Sequence, residues 1–363
     1  MKRFLIVIAT ALFVLSSCHR APGADGWFAD FDSAQKAAKA QNKGILMLIT
    51  TEQPMISQAE MNAIFATVPL TESASYDDIR ALLSDRAQEI IELKAELLSK
   101  TIETDSFRQS CEENFALVHY NVTETHVPDI LNSYQIQTAP SLLVLTKEGF
   151  CAGIFEFDNP QTLKELVQGT NTESQLLRDI RAVQTEIVRI EELASVARTA
   201  SESQATRLDA IDTIFKNTNQ RFIAPLEPLA KVAVSIDPKN ESGRIGNFYC
   251  FLADIQANKF LQAEKVTKAA RVYERLAESD YLDAAQKQEY YYAAAVCFAN
   301  ELTPDYKKTL QMLDKAREAD PNSEQAQKIQ ESIDYIKSMQ EYAANGAPEQ
   351  DEPIVGPELP PQE

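Results

Sequence analysis

The strongest structural pattern in the chain lies in residues 114–157, which read NFALVHYNVTETHVPDILNSYQIQTAPSLLVLTKEGFCAGIFEF. Apolar and polar residues alternate over residues 115–122, and this period of two is typical of a strand. Residues 127–134 instead have the spacing of a helix. Compact apolar runs at 141–146 and 150–157 predict two further strands. By its periodicity alone, the stretch is an α/β unit.

A proline stands directly before the strand predicted at 141–146, and Lys147-Glu148-Gly149 forms a tight turn after it. This order of strand, helix, proline, strand, turn and strand resembles the second half of a thioredoxin fold. In that family the X-Pro bond before the strand is cis, an isomer that costs little only at proline. In the same family, the backbone around this proline docks extended peptide. The resemblance therefore predicts a peptide-docking loop at Thr138, Ala139 and Pro140.

The preceding residues resemble the opening of bacterial thioredoxin-like lipoproteins and periplasmic thiol-disulfide domains. A helix predicted at 32–41, capped by Asp32 or Ser33, leads into a buried strand at 45–49. In those domains the strand runs into a WCxxC motif at a helix N-terminus, where the helix dipole lowers the pKa of the first thiol.

Here the corresponding loop is degenerate and contains Glu52, Gln53, Pro54, Met55 and Ser57. The two cysteine positions fall on Glu52 and Met55, or on Pro54 and Ser57, depending on the register. No cysteine occurs between Cys18 and Cys111. The resemblance therefore predicts a thioredoxin-like domain over residues 24–169 that has no thiol exchange at the usual site.

Residues 66–105 depart from the family and form a helical insertion. Residues 76–100 carry a broad apolar stripe between charged positions, which predicts a long amphipathic helix. One interpretation buries this stripe on its own domain. The other makes it a partner-binding or dimerising helix, or a lid over the groove beside the former active site.

The second half of the chain, residues 170–342, predicts an all-α domain. A long helix is expected at 173–199, and the two turns at Asp237-Pro238 and Asp320-Pro321 resemble those between tetratricopeptide (TPR) repeats. The helices predicted between and after these turns are 245–257 with 263–278, 284–300 with 306–319, and a capping helix at 325–339. The spacing of the two turns is irregular, so a generic α-solenoid or bundle is the alternative. Tyr290-Tyr291-Tyr292 line its concave face or belong to its core.

The two ends of the chain predict a lipid attachment and a disordered tail. Residues 1–17 resemble a lipoprotein signal peptide, with a positive start, an apolar run and Leu15-Ser16-Ser17-Cys18 as the lipobox. Cys18 is then the acylated residue, residues 18–23 are a linker, and His19 in place of aspartate favours the outer over the inner membrane. An ordinary cleaved signal is the alternative. Residues 343–363, rich in Pro, Glu and Gln, predict a disordered acidic tail.

Charge and cysteine content limit the function. A net charge of −19 argues against nucleic acid, which requires cationic neutralisation of phosphates, and against electrostatic attachment to anionic lipid. Cys111–Cys151 and Cys250–Cys297 are conceivable disulfides, although buried inert thiols suit their apolar surroundings better. His119 and His126 flank one turn, but no carboxylate or cysteine grouping completes a metal site. Neither metal nor cofactor is predicted.

The sequence thus predicts an α/β thioredoxin-like domain, a central mixed sheet flanked by helices with a helical insertion, followed by an all-α TPR-like or α-solenoid domain. The favoured function is a lipid-anchored, periplasm-facing, redox-inactive scaffold that binds a protein or peptide partner. One alternative is a thiol-disulfide protein that uses Cys111 or Cys151. The other is a periplasmic chaperone or assembly factor that recognises extended polypeptide.

Overall fold

The computed structural model describes residues 22–23, 26–51, 56–67, 76–121, 134, 136, 138–169, 172–217 and 225–345. The predicted signal peptide with Cys18, most of the helix predicted at 127–134 and nearly all of the predicted tail lie outside these residues. The described part is mostly helical and contains one small mixed sheet. The chain divides into two compact units, Met1–Ile236 and Asp237–Glu363.

The sheet of the first unit has four strands in the order β2-β1-β3-β4. The strands are β1 Gly44–Thr50, β2 Phe115–Asn121, β3 Ser141–Leu145 and β4 Cys151–Glu156. β1 is parallel to β2 and antiparallel to β3, and β3 is antiparallel to β4. All seven residues of β1 are buried, as expected for a central strand that is covered on both faces. The four strands predicted from the sequence are confirmed within a residue or two at each end.

Nine α-helices lie in the described residues of the first unit, and they surround or follow this sheet. They are α1 Phe31–Gln41, α2 Gln58–Thr67, α3 Tyr76–Leu97, α4 Asp105–Glu112, α5 Pro160–Gln168, α6 Thr172–Ala182, α7 Gln184–Arg198, α8 Gln204–Phe215 and α9 Leu226–Ile236. The prediction that Asp32 or Ser33 caps α1 is wrong. The cap is Asp30, whose carboxylate accepts a hydrogen bond from the Ser33 backbone N–H at 2.8 Å, so the helix begins one residue earlier than the apolar pattern suggests.

The predicted insertion helix is present and packs on its own unit. α3 is followed by a π-helical turn, Leu98–Ile102, and its neighbours are α2 and α5. Ile90, Lys94 and Leu97 are buried on the packed face, because residues three and four apart share one side of a helix. The stripe therefore lies against the protein's own core, as the first of the two interpretations expects.

The single long helix predicted at 173–199 is wrong, because the chain bends at Val183 between α6 and α7. There the Val183 side chain meets Gly153 of β4 so closely that a Cβ built on Gly153 would lie 3.0 Å from both Val183 methyl carbons. α7 also ion-pairs with the turn after β3, since Lys147 Nζ lies 3.0 Å from Glu191 Oε2. The predicted boundary at 169/170 therefore differs from the observed division between Ile236 and Asp237.

The second unit is a succession of helices, each packed on the next in the chain. They are α10 Ile245–Gln262, α11 Val266–Ala277, α12 Ala284–Ala299, α13 Tyr306–Ala319 and α14 Glu324–Asn345. These bounds confirm the two predicted helix pairs and the following helix. Their shared core is rich in alanine, including Ala269, Ala294 and Ala316, and small residues allow helices to approach closely. Among the described residues, no helix combines the length and apolarity needed to span a bilayer.

Candidate functional site

The N-terminus of α2 is closed by its own side chains. Ser57 and Glu60 form a reciprocal pair: the Glu60 backbone N–H donates to Ser57 Oγ at 3.1 Å, and the Ser57 backbone N–H donates to Glu60 Oε2 at 2.7 Å. This is the capping box that the spacing Ser-x-x-Glu produces at a helix start. Ser57 is 4% exposed and Glu60 is fully buried. The backbone donors that an anion would use at this helix end are therefore partly occupied.

A buried lysine of the insertion helix binds the same carboxylate. Lys94 Nζ lies 2.8 Å from each carboxylate oxygen of Glu60 and donates to Thr138 Oγ1 at 2.8 Å. Both side chains of the ion pair have no exposed surface. Of these three oxygens, Glu60 Oε2 and Thr138 Oγ1 accept hydrogen bonds from the ammonium, whereas Glu60 Oε1 contacts Lys94 as an ion pair and accepts no hydrogen bond. We call Ser57, Glu60, Lys94 and Thr138 the Lys94 network.

The network joins three segments that are distant in sequence. Lys94 comes from α3, Ser57 and Glu60 come from the start of α2, and Thr138 directly precedes Ala139-Pro140. The Ala139–Pro140 peptide bond is cis, as the resemblance predicts. Thr138, Ala139 and Pro140 are all buried, so this loop is covered in the structure, and its peptide-docking role stays a prediction.

Burial controls the electrostatics of the network. The low dielectric around Lys94 lowers the pKa of its ammonium below the ordinary value of 10.5, while the carboxylates of Glu60 and Asp158 act in the opposite direction. Desolvation outweighs the attraction because the lysine has lost all its water. A buried, hydrogen-bonded ion pair of this kind holds three segments in place, and it presents no reactive group to solvent.

A groove of about 390 Å³ runs along the same helices. Ala63 and Ile64 of α2 and Ile90 and Leu93 of α3 line its apolar part, and the start of α5 completes it. Glu89 lies at its rim and pairs with Arg86 and Lys164, each at 3.0 Å. Those two cations lower the pKa of the Glu89 carboxyl. The groove thus combines an apolar wall with a charged edge, as ligand-binding clefts do.

The cysteines of the described residues are thiols, and all four are buried. Burial raises the pKa of Cys111 to about 12 and those of Cys250 and Cys297 to about 11. A thiol with so high a pKa has almost no thiolate at neutral pH, and thiolate is the form that attacks disulfides. The Cys151 thiol donates a long hydrogen bond to the Gly153 carbonyl at 3.6 Å.

A buried polar cluster of the second unit lies between α10 and α12. Tyr290 Oη donates to Asp254 Oδ2 at 3.0 Å, and the Tyr290 ring lies 5.7 Å from that of Tyr273. Burial raises the pKa of Asp254 to about 6, opposed by the Tyr290 hydrogen bond and assisted by Glu289. Tyr290 is 7% exposed and belongs to the core, which confirms the core interpretation for this tyrosine.

The histidine pair of the sequence analysis is described only in part. His119 Nε2 lies 2.7 Å from Thr50 Oγ1, and its ring lies edge-on to Trp27 at 5.9 Å, so it is a packed histidine of the sheet. His126 lies outside the described residues. Within the part of the chain that the structure describes, no three His, Cys, Asp or Glu side chains are grouped to hold a metal ion.

The structure brings some predicted site residues together and leaves others undescribed. Ser57 and Thr138 meet in the Lys94 network, whereas Glu52, Gln53, Pro54 and Met55 lie outside the described residues, as does Cys18. Glu60 and Lys94 were not among the predicted site residues. Two signals identify them: Glu60 completes a Ser-x-x-Glu capping box, and Lys94 stands four residues after Ile90 and three before Leu97, inside the apolar stripe.

Comparisons with known proteins extend to both halves of the chain but describe no activity. A family model described as "Uncharacterised protein C-terminal domain" matches residues 245–342, which begin with α10 and end within α14. A Treponema pallidum (strain Nichols) protein, described as "Uncharacterized protein", is 26% identical over 204 residues. That match covers 56% of this chain and 64% of the relative. No solved structure matches the chain significantly.

Proposed function

We propose that this chain is a lipid-anchored, non-catalytic scaffold of the bacterial cell envelope. Its first unit contains a thioredoxin-like domain that has lost thiol chemistry, and its second unit is a TPR-like array that holds a protein partner. The lipid anchor at Cys18 and the periplasm-facing, outer-membrane location come from the sequence resemblance. The observation that carries the non-catalytic assignment is the Lys94 network.

The sheet supports the thioredoxin-like assignment. A parallel β1–β2 pair, followed by antiparallel β3 and β4 in the order β2-β1-β3-β4, is the arrangement expected of that fold. α2 is the next described element after β1, and the loop of Thr138, Ala139 and Pro140 (the proline loop) precedes β3. Fold alone does not fix function, so the assignment of activity depends on the residues at the start of α2.

Those residues oppose thiol chemistry at the usual place. A reactive thiol there needs the free N–H groups and positive dipole end of α2. The Glu60 carboxylate already accepts from the Ser57 backbone N–H and is neutralised by Lys94. The insertion helix that supplies Lys94 also covers the loop before Pro140. We infer that the family's reactive centre has become a structural ion pair, and that binding uses the groove between α2, α3 and α5.

The second unit supports the TPR-like part of the proposal. Each helix packs on the next and is joined to it by a short connection, so consecutive helices run in opposite directions. An Asp-Pro turn precedes α10 and another precedes α14. Asp237 builds the first turn by accepting hydrogen bonds from the backbone N–H groups of Glu241 and Ser242 at 2.9 and 2.8 Å. Stacked helix pairs offer an extended surface to a partner protein.

Thiol titration combined with a disulfide-reductase assay tests the non-catalytic assignment. We expect the thiols at Cys111, Cys151, Cys250 and Cys297 to react slowly in the native protein and rapidly after denaturation, with no turnover. Cys111→Ser and Cys151→Ser serve as controls. Turnover that disappears in either variant overturns the proposal in favour of the thiol-disulfide alternative.

A binding assay separates the scaffold from the chaperone alternative. Binding of many unrelated unfolded polypeptides with similar affinity indicates a chaperone. A scaffold leaves them unbound and selects a defined partner. Leu93→Lys places a charge on the apolar wall of the groove and is expected to weaken binding at least tenfold, since a buried unpaired charge is costly. Lys36→Ala, an exposed position of α1, is the matched control.

A further inference from the structure

One end of the helical array in the second unit carries the largest apolar exposure among the described residues. Leu302, in the turn between α12 and α13, is fully exposed at 109%, and Tyr306 at the start of α13 is 44% exposed. Leu261, at the end of α10, is 37% exposed. These are three of the six large hydrophobic side chains that are exposed in the described part of the chain.

The three residues lie at the same end of the array. The α10–α11 turn and the α12–α13 turn both fall at this end, because consecutive helices run in opposite directions. A hydrogen bond between the turns places them side by side: Thr267 Oγ1 at the start of α11 donates to Glu301 Oε1 after α12 at 2.7 Å.

Lysines surround this apolar end. Residues 258–268 and 300–308, all described, contain Lys259, Lys265, Lys268, Lys307 and Lys308 against three acidic residues, Glu264, Glu301 and Asp305. Two of those acids hydrogen-bond to neutral groups and keep their negative charge: Glu301 accepts from Thr267, and Asp305 caps α13 by accepting from the Lys308 backbone N–H at 3.0 Å. A chain with a net charge of −19 therefore has a local excess of positive charge around exposed leucine and tyrosine.

We propose that this end, the Leu302 patch (Leu261, Leu302, Tyr306 and the lysines at 265, 268, 307 and 308), docks onto an anionic phospholipid surface. Leucine inserts below the headgroups, tyrosine prefers the interface, and each lysine near anionic lipid adds to the binding. Leu302 projects from a turn, which suits insertion into a bilayer better than capture of a peptide in a groove. The composition of the chain does not predict this attachment. The lysines belong to two separate turns, and only the fold brings them to the same end of the array.

The attraction between the lysines and anionic lipid is short-ranged, and the negative charge of the rest of the chain opposes it. Screening at physiological salt confines it to roughly 8 Å, so the patch acts only where it already lies close to the lipid. The contact does not depend on acylation at Cys18. If acylation occurs, it supplies proximity, and the Leu302 patch then orients the second unit on the membrane.

A fluorescent probe at position 302 tests the proposal in the full chain. The experiment uses Cys18→Ser, so that Leu302→Cys, labelled with an environment-sensitive dye, is distinguishable from the four buried thiols. Asn322→Cys, in the turn between α13 and α14 at the opposite end of the array, is the matched control. Vesicles contain phosphatidylcholine alone or mixed equally with phosphatidylglycerol, and brominated lipid serves as a depth-dependent quencher.

We expect a blue shift and bromolipid quenching at position 302 on anionic vesicles, weaker signals on phosphatidylcholine, and none at position 322. Lys265→Glu with Lys307→Glu should raise the lipid concentration at half-maximal shift by roughly tenfold or more, whereas Lys328→Glu, on α14, should not. No shift at position 302, or equal shifts at 302 and 322, overturns the proposal. A third result would also overturn the proposal. If the dye at position 302 is shielded in the absence of vesicles, and becomes exposed in a chain that ends at Asn345, then residues 346–363 cover the patch.

Discussion

Lys94 is the side chain on which the centre of the first unit depends. It stands in an apolar stripe, where a lysine would ordinarily reach out to water, yet it has no exposed surface and contacts Glu60 and Thr138. A buried pair of this kind contributes little net stability compared with apolar residues of the same shape. Loss of one partner, in contrast, leaves an uncompensated charge. Because Lys94 contacts residues of α2 and of the proline loop from its place on α3, it fixes how these three segments pack together.

Replacing the lysine alone should be strongly destabilising. Lys94→Met leaves the Glu60 carboxylate buried without its cation, and we expect the free energy of unfolding of the first unit to fall by about 3–5 kcal/mol. The double variant Lys94→Met with Glu60→Leu should recover most of that loss. Urea denaturation followed by Trp27 fluorescence measures both. Lys100→Met removes an exposed pair with Glu96 and should change stability by less than about 1 kcal/mol. Equal losses in Lys94→Met and the double variant would show that packing, and not the charge, dominates.

Asp254 predicts a pH dependence for the second unit. Its pKa is raised from 3.8 to about 6 by burial, so the folded unit binds this proton more tightly than the unfolded chain does. The stabilisation is fully present below pH 3.8 and is lost as the pH rises towards about 6. Asp254→Asn should remove this slope while keeping an acceptor for Tyr290. Hydrogen exchange of amides in α10 and α12 across this pH range measures it, and an unchanged slope in the variant would contradict the assignment.

Single residues of the site were predictable only where their partners are close in sequence. The Ser57–Glu60 capping box can be found by its spacing. Lys94 is conspicuous within its stripe, but its partner lies 34 positions away in Glu60. Nothing in the local pattern of either residue identifies the other, because a long-range ion pair depends on how helices pack and leaves no periodic signal.

The break between α6 and α7 shows how packing overrides a helical pattern. The apolar spacing over 173–199 suits one continuous helix, and none of these residues is a proline or glycine that would break it. The bend occurs where Val183 contacts Gly153 on β4. α7 can therefore lie beside the sheet and form the Lys147–Glu191 pair, which is why this helix belongs to the first unit.

A side chain at Gly153 should crowd Val183 and force it to shift. A Cβ at Gly153 would lie 3.0 Å from the Val183 methyl carbons, so Gly153→Ala should lower the free energy of unfolding by about 1–3 kcal/mol. Gly153→Ala combined with Val183→Ala should lose less than the sum of the two single variants, since the second change makes room for the first. Thermal unfolding of the four proteins measures the coupling. Strict additivity would mean that the two side chains do not compete for the same space.

The two units should unfold independently. Lys94 lies in the first unit, Met1–Ile236, and Gln288 lies in the second, Asp237–Glu363. The Gln288 side chain donates to the Asp320 carbonyl at 2.9 Å and accepts from Ser323 Oγ at 2.7 Å. Gln288→Leu leaves buried polar groups unsatisfied, at about 1–3 kcal/mol. Hydrogen exchange should therefore show Lys94→Met accelerating amides of the first unit only, and Gln288→Leu those of the second unit only. Acceleration across both units in either variant would mean that the chain unfolds as one cooperative body.

The sequence by itself determined the elements of this protein. The strands, the helix pairs after Asp237 and the long insertion helix follow from apolar periodicity, because burial on one side of a strand or helix repeats every two or about 3.6 residues. The residues that resemble a thioredoxin fold, and the absence of cysteine between Cys18 and Cys111, can also be read directly from the sequence. These signals are local, so one sequence suffices to find them.

Only the tertiary structure decided how those elements are combined. It placed α6 to α9 with the first unit, joined Lys94 to Glu60 and Thr138, covered the proline loop, and gathered lysines around Leu302 from two turns. The physical reason is the same in each case. These contacts form between residues far apart in the chain, and their free energy depends on burial and on the geometry of approach, neither of which is written in any short stretch of sequence.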